Sequence, residues 1–274
     1  MPVIAITREM GSLGKDVAKG LGEALGVPVI YHELIDQLAD KMRVRRSHVI
    51  RLLDGSAGLL ERLTADKTSL SIFTADEIYG VAAKGRGAVI RGWGATHLLG
   101  EVPHTLCVRV CAPFELRRRR MMERLNSDDV ERVGEEIHTN DEAHTAIMRR
   151  HFDLSWTDAE HYDLVLNTKR VTVDECVSEV LALVRSPQFG ETEESRQKVE
   201  DLALAARVRA ALRRMPETRE AKVLVASHAG RVTLSGASST DEMLAFVEVA
   251  SAVPGVRDVA YRTAPGDEVR PRFH

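Results

Sequence analysis

Apolar residues recur along the chain with two periods that alternate from its beginning. Val3, Ile4 and Ile6 form a short β-branched run that reads as a buried strand. Beyond Asp16, Val17, Leu21 and Leu25 recur at helical spacing. Residues 26–31 predict a turn and a second short strand, and 33–43 a helix with Leu34, Ile35, Leu38 and Met42 on one side. Helical spacing continues over 47–84 with breaks at Gly55 and Gly58, and is best defined over 71–83. A third strand over 85–91 runs into Gly92-Trp93-Gly94 and a helix through Leu99, and a fourth strand covers 104–111. Pro113, whose fixed φ suits a first helical position, opens a strongly basic helix to Leu125. Residues 126–140 are polar and acidic and read as a loop or lid, 141–152 as a helix, and 162–167 as a fifth strand. Thr172 and Glu175 form a capping box for a helix ending near Val184. Strands in alternation with helices predict an α/β fold on a parallel sheet.

The pattern changes at residues 186–198, which are polar, charged and punctuated by Pro187 and Gly190, and read as a linker. A second, smaller pattern follows. Val199, Leu202, Ala206, Arg209 and Leu212 trace a helix. Val223 and Val225 alternate in one strand, Val232 and Leu234 in its partner, with a turn at 228–230 between them. Ser239 and Glu242 form another capping box, ahead of a helix carrying Met243, Phe246, Val247 and Ala250. Pro254 and Gly255 stop it, and 256–262 make a third strand. The predicted organisation is a domain over 1–185, the linker, an α-β-β-α-β domain over 199–265 and a tail over 266–274.

Composition narrows the class. The chain has 274 residues, 44% hydrophobic and 29% charged, which fits two folded domains with real cores. A formal net charge of −3 argues against a nucleic-acid binder working by bulk electrostatics. Cys107, Cys111 and Cys176 lack metal-ligand spacing and read as reduced thiols. Met1 and Pro2 run straight into the first strand, and no apolar run approaches the roughly 20 residues of a membrane span. The expected location is the cytoplasm.

The chemistry concentrates where the first strand meets the first helix. Gly11, Ser12, Leu13, Gly14, Lys15 and Asp16 bridge the two, and a glycine-bearing loop before a helix N-terminus turns backbone N–H groups toward an anion. Lys15 stands where a phosphate-loop lysine reaches the β/γ-phosphates. Against the pattern G-x-x-x-x-G-K-[ST], Glu9 holds the first glycine position and Asp16 the hydroxyl position. A plain βα turn, with Asp16 only favouring the first helical turn, fits these residues equally well.

Further segments come in a recognisable order. They are I-T-R-E-M-G-S-L-G-K at 6–15, Y-H-E-L-I at 31–35, G-W-G-A at 92–95, A-P-F-E-L-R-R-R-R at 112–120, Trp156, and Y-D-L-V-L-N-T at 162–168. Together they resemble the cytidylate kinase-like family of phosphate-loop nucleoside monophosphate kinases over residues 2–185. The resemblance implies a five-stranded parallel sheet, a helical insert for the monophosphate, a mobile lid, and ATP with Mg²⁺ as phosphoryl donor. It implies Lys15 on the donor phosphates. It also implies that Arg117, Arg120 and Arg124 of the basic helix help hold donor phosphates and adenine, with at most two of its arginines facing inward. Asp36 is a candidate for the monophosphate pocket.

Three positions depart from the family. Trp93 stands where an acceptor-phosphate arginine is usual, with Arg91 as a possible substitute two residues earlier. His144 replaces the arginine of the lid pattern D-x-x-R, leaving Arg149 or Arg150 as the nearest stand-in. A histidine there acts as a cation only when protonated and cannot form a bidentate clamp. Asp16 replaces the magnesium-binding hydroxyl and could itself be a metal ligand. The C-terminal pattern, with G-R-V-T-L-S-G at 230–236 and V-P-G-V-R-D-V at 253–259, resembles a BON domain, which implies binding to a phospholipid surface or a protein partner. Two functions follow: ATP-dependent phosphoryl transfer to a nucleoside monophosphate, CMP or dCMP by resemblance, or nucleotide sensing with little or no transfer.

Overall fold

The computed structural model describes residues 1–54, 66–92, 94–237 and 239–262. In chain order its strands are β1 (Val3–Arg8), β2 (Val29–Ile30), β3 (Ala88–Arg91), β4 (Thr105–Cys111), β5 (Leu164–Asn167), β6 (Leu224–His228), β7 (Arg231–Ser235) and β8 (Asp258–Tyr261). The α-helices are α1 (Gly14–Leu25), α2 (His32–Met42), α3 (Arg46–Asp54), α4 (Lys67–Ala82), α5 (Ala95–Leu99), α6 (Phe114–Leu125), α7 (Val130–Phe152), α8 (Val173–Val184), α9 (Glu193–Arg214) and α10 (Thr240–Ser251).

The first sheet is five-stranded and parallel, in the order β2-β3-β1-β4-β5. Its inner strands are buried on both faces, which is why they read as continuous apolar runs rather than alternating ones. Ile4 and Ile6 of β1 share a buried cluster with Val17 and Leu21 of α1 and with Cys176 and Val180 of α8. β1 lies at the centre, so the carboxyl ends of β3, β1 and β4 meet at one edge. In an open parallel sheet that edge is where ligands bind.

Two segments differ from the sequence expectation. Residues 130–140, read as a loop or lid, are the first turns of a continuous α7. Asp129 caps it, its carboxylate accepting from the Arg132 N–H at 3.0 Å, and Val133 and Ile137, one turn apart, bury against Met121. The polar composition of that stretch reflects a solvated face of one helix, not an irregular chain. Residues 193–198, read as linker, are likewise helical. Thr192 and Ser195 form a capping box that starts α9, and Val199 continues it into the buried part of the unit.

The chain divides into two compact units, Met1–Asp66 with Lys84–Glu191, and Lys67–Ala83 with Thr192–His274. Helix α4 therefore packs with the C-terminal unit, although a boundary at 185 assigns it to the first domain. The reason lies in its composition. Leu70, Phe73, Ile78, Tyr79 and Ala82 are buried without forming a single stripe, so the helix needs neighbours on several sides. Helix α9 is one of them. Arg213 Nε donates to Ser69 Oγ at 2.8 Å, and the Arg214 guanidinium lies 5.5 Å from the Phe73 ring centre. The remaining core of this unit joins Leu204, Val208 and Leu212 of α9 to Val225, Val232, Leu234, Phe246 and Tyr261 around the sheet β6-β7-β8.

A protease site placed in the exposed stretch 187–190 tests this division. The nicked chain is expected to elute as one species in gel filtration and to separate only in denaturant, because α4 precedes the cut and its neighbour α9 follows it. Native fragments eluting apart would show that α4 is not held by the second unit.

Candidate functional site

The loop between β1 and α1 is shaped by two close approaches. A Cβ at Gly11, where φ is +78°, would lie 2.7 Å from the Arg117 carbonyl oxygen, so the loop rests directly on the backbone of α6. A Cβ at Gly14 would lie 2.6 Å from the Arg8 Cβ, so the first turn of α1 sits against the end of β1. Leu13, at φ 64°, makes the left-handed turn that starts the helix. The loop carries two internal backbone bonds, Ser12 N–H to Glu9 O at 3.1 Å and Asp16 N–H to Leu13 O at 2.9 Å. Among the described residues, none of the N–H groups of Gly11, Leu13, Gly14 and Lys15 has a protein acceptor. Four unclaimed donors at a helix N-terminus form an anion cradle.

The cleft above this loop has a volume of about 380 Å³ and is lined by Arg8, Glu9, Lys15, Asp16, Arg120 and Arg124 among others. Lys15, Asp16 and Arg124 are exposed there. Arg120 is braced across it, with Nη1 donating to Thr168 Oγ1 at 2.9 Å and Nη2 to the Thr168 carbonyl at 2.8 Å. Ser12 is fully buried, and its hydroxyl has no partner among the described residues.

Glu9, which breaks the glycine pattern, anchors the site. Its Oε1 accepts from Arg109 Nη2 at 2.7 Å, its Oε2 accepts from the Ala112 N–H at 3.0 Å, and Arg117 Nε lies 3.5 Å from the same oxygen. Arg117 is in turn bidentate to Asp141, at 3.2 and 2.9 Å, and donates to the Met10 carbonyl at 3.3 Å. This corrects the expectation that Arg117 faces donor phosphates. The partly buried carboxylates of Glu9 and Asp141 need counter-charge, and buried Arg117 supplies it to Asp141 and, with Arg109, to Glu9.

Position 144 also differs. The His144 ring stacks on Trp156 at 4.1 Å, and Trp156, only 3% exposed, is a core residue whose Nε1 donates to Thr145 Oγ1 at 2.9 Å. Burial, followed by the charges of Arg8 and Arg109, pushes the imidazole down to about 4. His144 is therefore neutral at physiological pH and supplies no cation by protonation near pH 6.5.

Arg91 does reach the carboxyl edge. It is 6% exposed, its guanidinium lies 3.9 Å from the Tyr31 ring centre, and Nε has no hydrogen-bond partner. Burial and then the nearby charge of Arg8 lower its pKa. Arg8 itself was not singled out by its sequence. A charged residue closing a buried strand, next to a glycine loop, is the available signal. Four other candidates stand apart. Asp36 is half-exposed and paired with Arg46 at 3.2 Å, Arg149 and Arg150 are exposed on α7, and Trp93 lies outside the described residues.

The cytidylate kinase-like family matches residues 3–170, and the BON domain matches residues 200–263. No curated protein matches the chain. Among solved structures, an uncharacterised protein from Eubacterium ventriosum is 22% identical over 68% of this chain and 99% of that chain, with a TM-score of 0.54, and shares the fold. A shikimate kinase from Acinetobacter baumannii is 16% identical over 69% of this chain and 96% of its own, with a TM-score of 0.43. A gluconokinase from Sinorhizobium meliloti is 14% identical over 67% and 91%, with a TM-score of 0.40.

Two outcomes are expected from this geometry. Glu9→Gln leaves Arg109 and part of Arg117 without a buried counter-charge and should lower stability by about 3 kcal/mol in urea denaturation. His144 carries a folded-state pKa below its unfolded value of about 6.5. Stability should therefore fall as pH drops from there toward 4, as the unfolded chain takes up a proton that the folded one refuses. Between pH 7 and pH 5 the parent should lose about 2 kcal/mol more than His144→Gln, and equal losses would place the histidine in a solvated environment.

Proposed function

We propose, for a chain that belongs to the cytidylate kinase-like family, that its first unit transfers a phosphoryl group from ATP to a nucleoside monophosphate, with CMP or dCMP as acceptor. The observation that carries this reading is the set of four unclaimed loop N–H groups beside Lys15. Donors grouped at a helix N-terminus, with no protein acceptor among the described residues, fit the oxygens of a polyphosphate. Lys15 adds a mobile point charge there, and Arg120 and Arg124 extend the positive lining along α6.

Phosphoryl transfer asks a protein mainly to position two phosphates and neutralise their charge. In this chain the loop and Lys15 hold the donor, while Arg91, at the end of the neighbouring strand, is placed for the acceptor. The aromatic face of Tyr31 keeps the Arg91 guanidinium oriented without neutralising it. For a metal, the fit is narrower. Among the described residues no group of three His, Cys, Asp or Glu side chains could hold an ion, and Glu9 is committed to arginines. Asp16, exposed in the first turn of α1, is the residue that would hold Mg²⁺, with phosphate oxygens and water completing its shell. Bound there, Mg²⁺ would neutralise charge on the donor phosphates.

A second reading, a nucleotide sensor with little transfer, is favoured by one observation: the position of the lid arginine is held by a neutral histidine stacked on Trp156. A coupled assay with ATP and CMP, dCMP, UMP, AMP or GMP separates the two readings. The C-terminal unit, with its BON domain, would then serve a protein partner or lipid surface. No helix among the described residues is long and apolar enough to cross a membrane.

Lys15→Ala is expected to weaken ATP binding at least tenfold by calorimetry, with the melting temperature of the unliganded protein unchanged, since Lys15 is exposed and has no partner among the described residues. Unchanged ATP affinity would remove the phosphate-loop reading.

A further inference from the structure

The arginines at the carboxyl edge of the first sheet fall into two groups. Arg109, Arg117 and Arg120 are paired through their terminal nitrogens with carboxylates, hydroxyls or carbonyls, although Nε of Arg109 and of Arg117 has no hydrogen-bond partner among the described residues. Arg8 and Arg91 make no hydrogen bond or ion pair among the described residues. Their placement follows from register. Arg91 of β3 pairs with Ile6 of β1, and Arg8 lies two residues beyond Ile6, so Arg8 and Arg91 leave the sheet on the same face of adjacent strands. Arg8 also lines the loop cleft with Lys15 and Asp16, and its Cβ is seated against Gly14. It is thus the cation common to the loop and to the Arg91–Tyr31 side.

Two guanidinium groups on one face, Arg91 buried and Arg8 partly buried, are costly in the absence of a paired anion. Burial lowers the pKa of both, and Arg8 adds repulsion to Arg91. The carboxylate of Asp141 is already taken by Arg117. The other carboxylate near both is Asp16, exposed in the first turn of α1 and making no ion pair with either arginine among the described residues, which leaves a place for a ligand anion between the loop and Arg91.

Resting on the kinase reading above, we propose that Arg8 contacts the terminal phosphate of the donor, the group to be transferred, and supplies from β1 the fixed positive charge that the family resemblance would place at position 144. In the transfer, an ionised oxygen of the acceptor phosphate forms a bond to the donor's terminal phosphorus. The bond from that phosphorus to the bridging oxygen breaks, and its electron pair leaves with ADP. No proton moves, so the demand on the protein is charge, and a guanidinium keeps its charge throughout. His144, neutral and within electrostatic reach of Arg8 and Arg109, is compatible with that role, whereas an arginine at 144 would add a repelling cation to both.

The test is calorimetry of ATP and ADP with the full chain, using Arg8→Met, Arg8→Lys and Lys15→Ala. Arg8→Met should weaken ATP binding at least tenfold while leaving ADP, which lacks the terminal phosphate, within threefold of the parent. Arg8→Lys, which keeps a charge but no fork, should fall between parent and Met variant. Lys15→Ala should weaken both nucleotides. The unliganded Arg8→Met protein should melt no lower than the parent, because a cation without a partner has been removed. Equal weakening of ATP and ADP, unchanged affinity for both, or a lower melting temperature would each overturn the proposal. The readout needs no turnover. A chain that transfers nothing to any monophosphate, yet discriminates ATP from ADP through Arg8, would overturn the kinase reading and leave the terminal-phosphate site standing.

Discussion

The first unit depends on the compensation of one partly buried negative charge. Glu9 sits where β1 ends and the loop begins, and its carboxylate binds Arg109 of β4, the Ala112 N–H at the end of β4, and the Nε side of Arg117 on α6. Arg117 carries the connection on to Asp141 of α7. Central strand, loop, basic helix and long helix are thereby tied at a single point. Buried carboxylates and guanidinium groups tolerate only arrangements in which each is matched, so this network leaves the loop little freedom. A glycine at position 9 would give the loop more latitude but no such anchor.

That network also decides which charges remain for a ligand. Arg109 and Arg117 are consumed internally, and Arg120 is braced on Thr168. Arg8, Arg91, Lys15 and Arg124 make no ion pair among the described residues, and they are the groups that face the loop cleft or the neighbouring strand end. A positively charged stretch in the sequence, such as residues 117–120, thus separates into structural and ligand-facing arginines only once carboxylates from distant segments take their share. His144 is kept neutral first by burial against Trp156 and then by the charges of Arg8 and Arg109.

The second unit is assembled from two separated stretches of chain. Its C-terminal part supplies a three-stranded sheet with α9 and α10, and α4, drawn from the segment between β2 and β3, packs with it. Boundaries drawn by composition alone miss this, because the apolar residues of α4 say that it is buried but not by what.

Much of the fold was legible from pattern. β-branched runs located the strands, and glycines and capping boxes located the turns and helix starts. The order of elements determined a parallel sheet with a loop-to-helix junction at the end of its first strand, and Gly11, Gly14 and Lys15 marked the cradle. The misread segments were those where polarity masked helical spacing, as at Val133 and Ile137 or around Thr192 and Ser195. Local sequence could not assign the charges. Whether Arg8, Arg91 or Arg117 faces a ligand depends on which carboxylates lie within hydrogen-bond reach, and Glu9 and Asp141 arrive there from positions more than 100 residues apart by the folding of the sheet and α7. Spacing along a chain determines periodicity and caps, because those are local. The pairing of buried charges is a property of neighbours in space, and only the tertiary structure decides it.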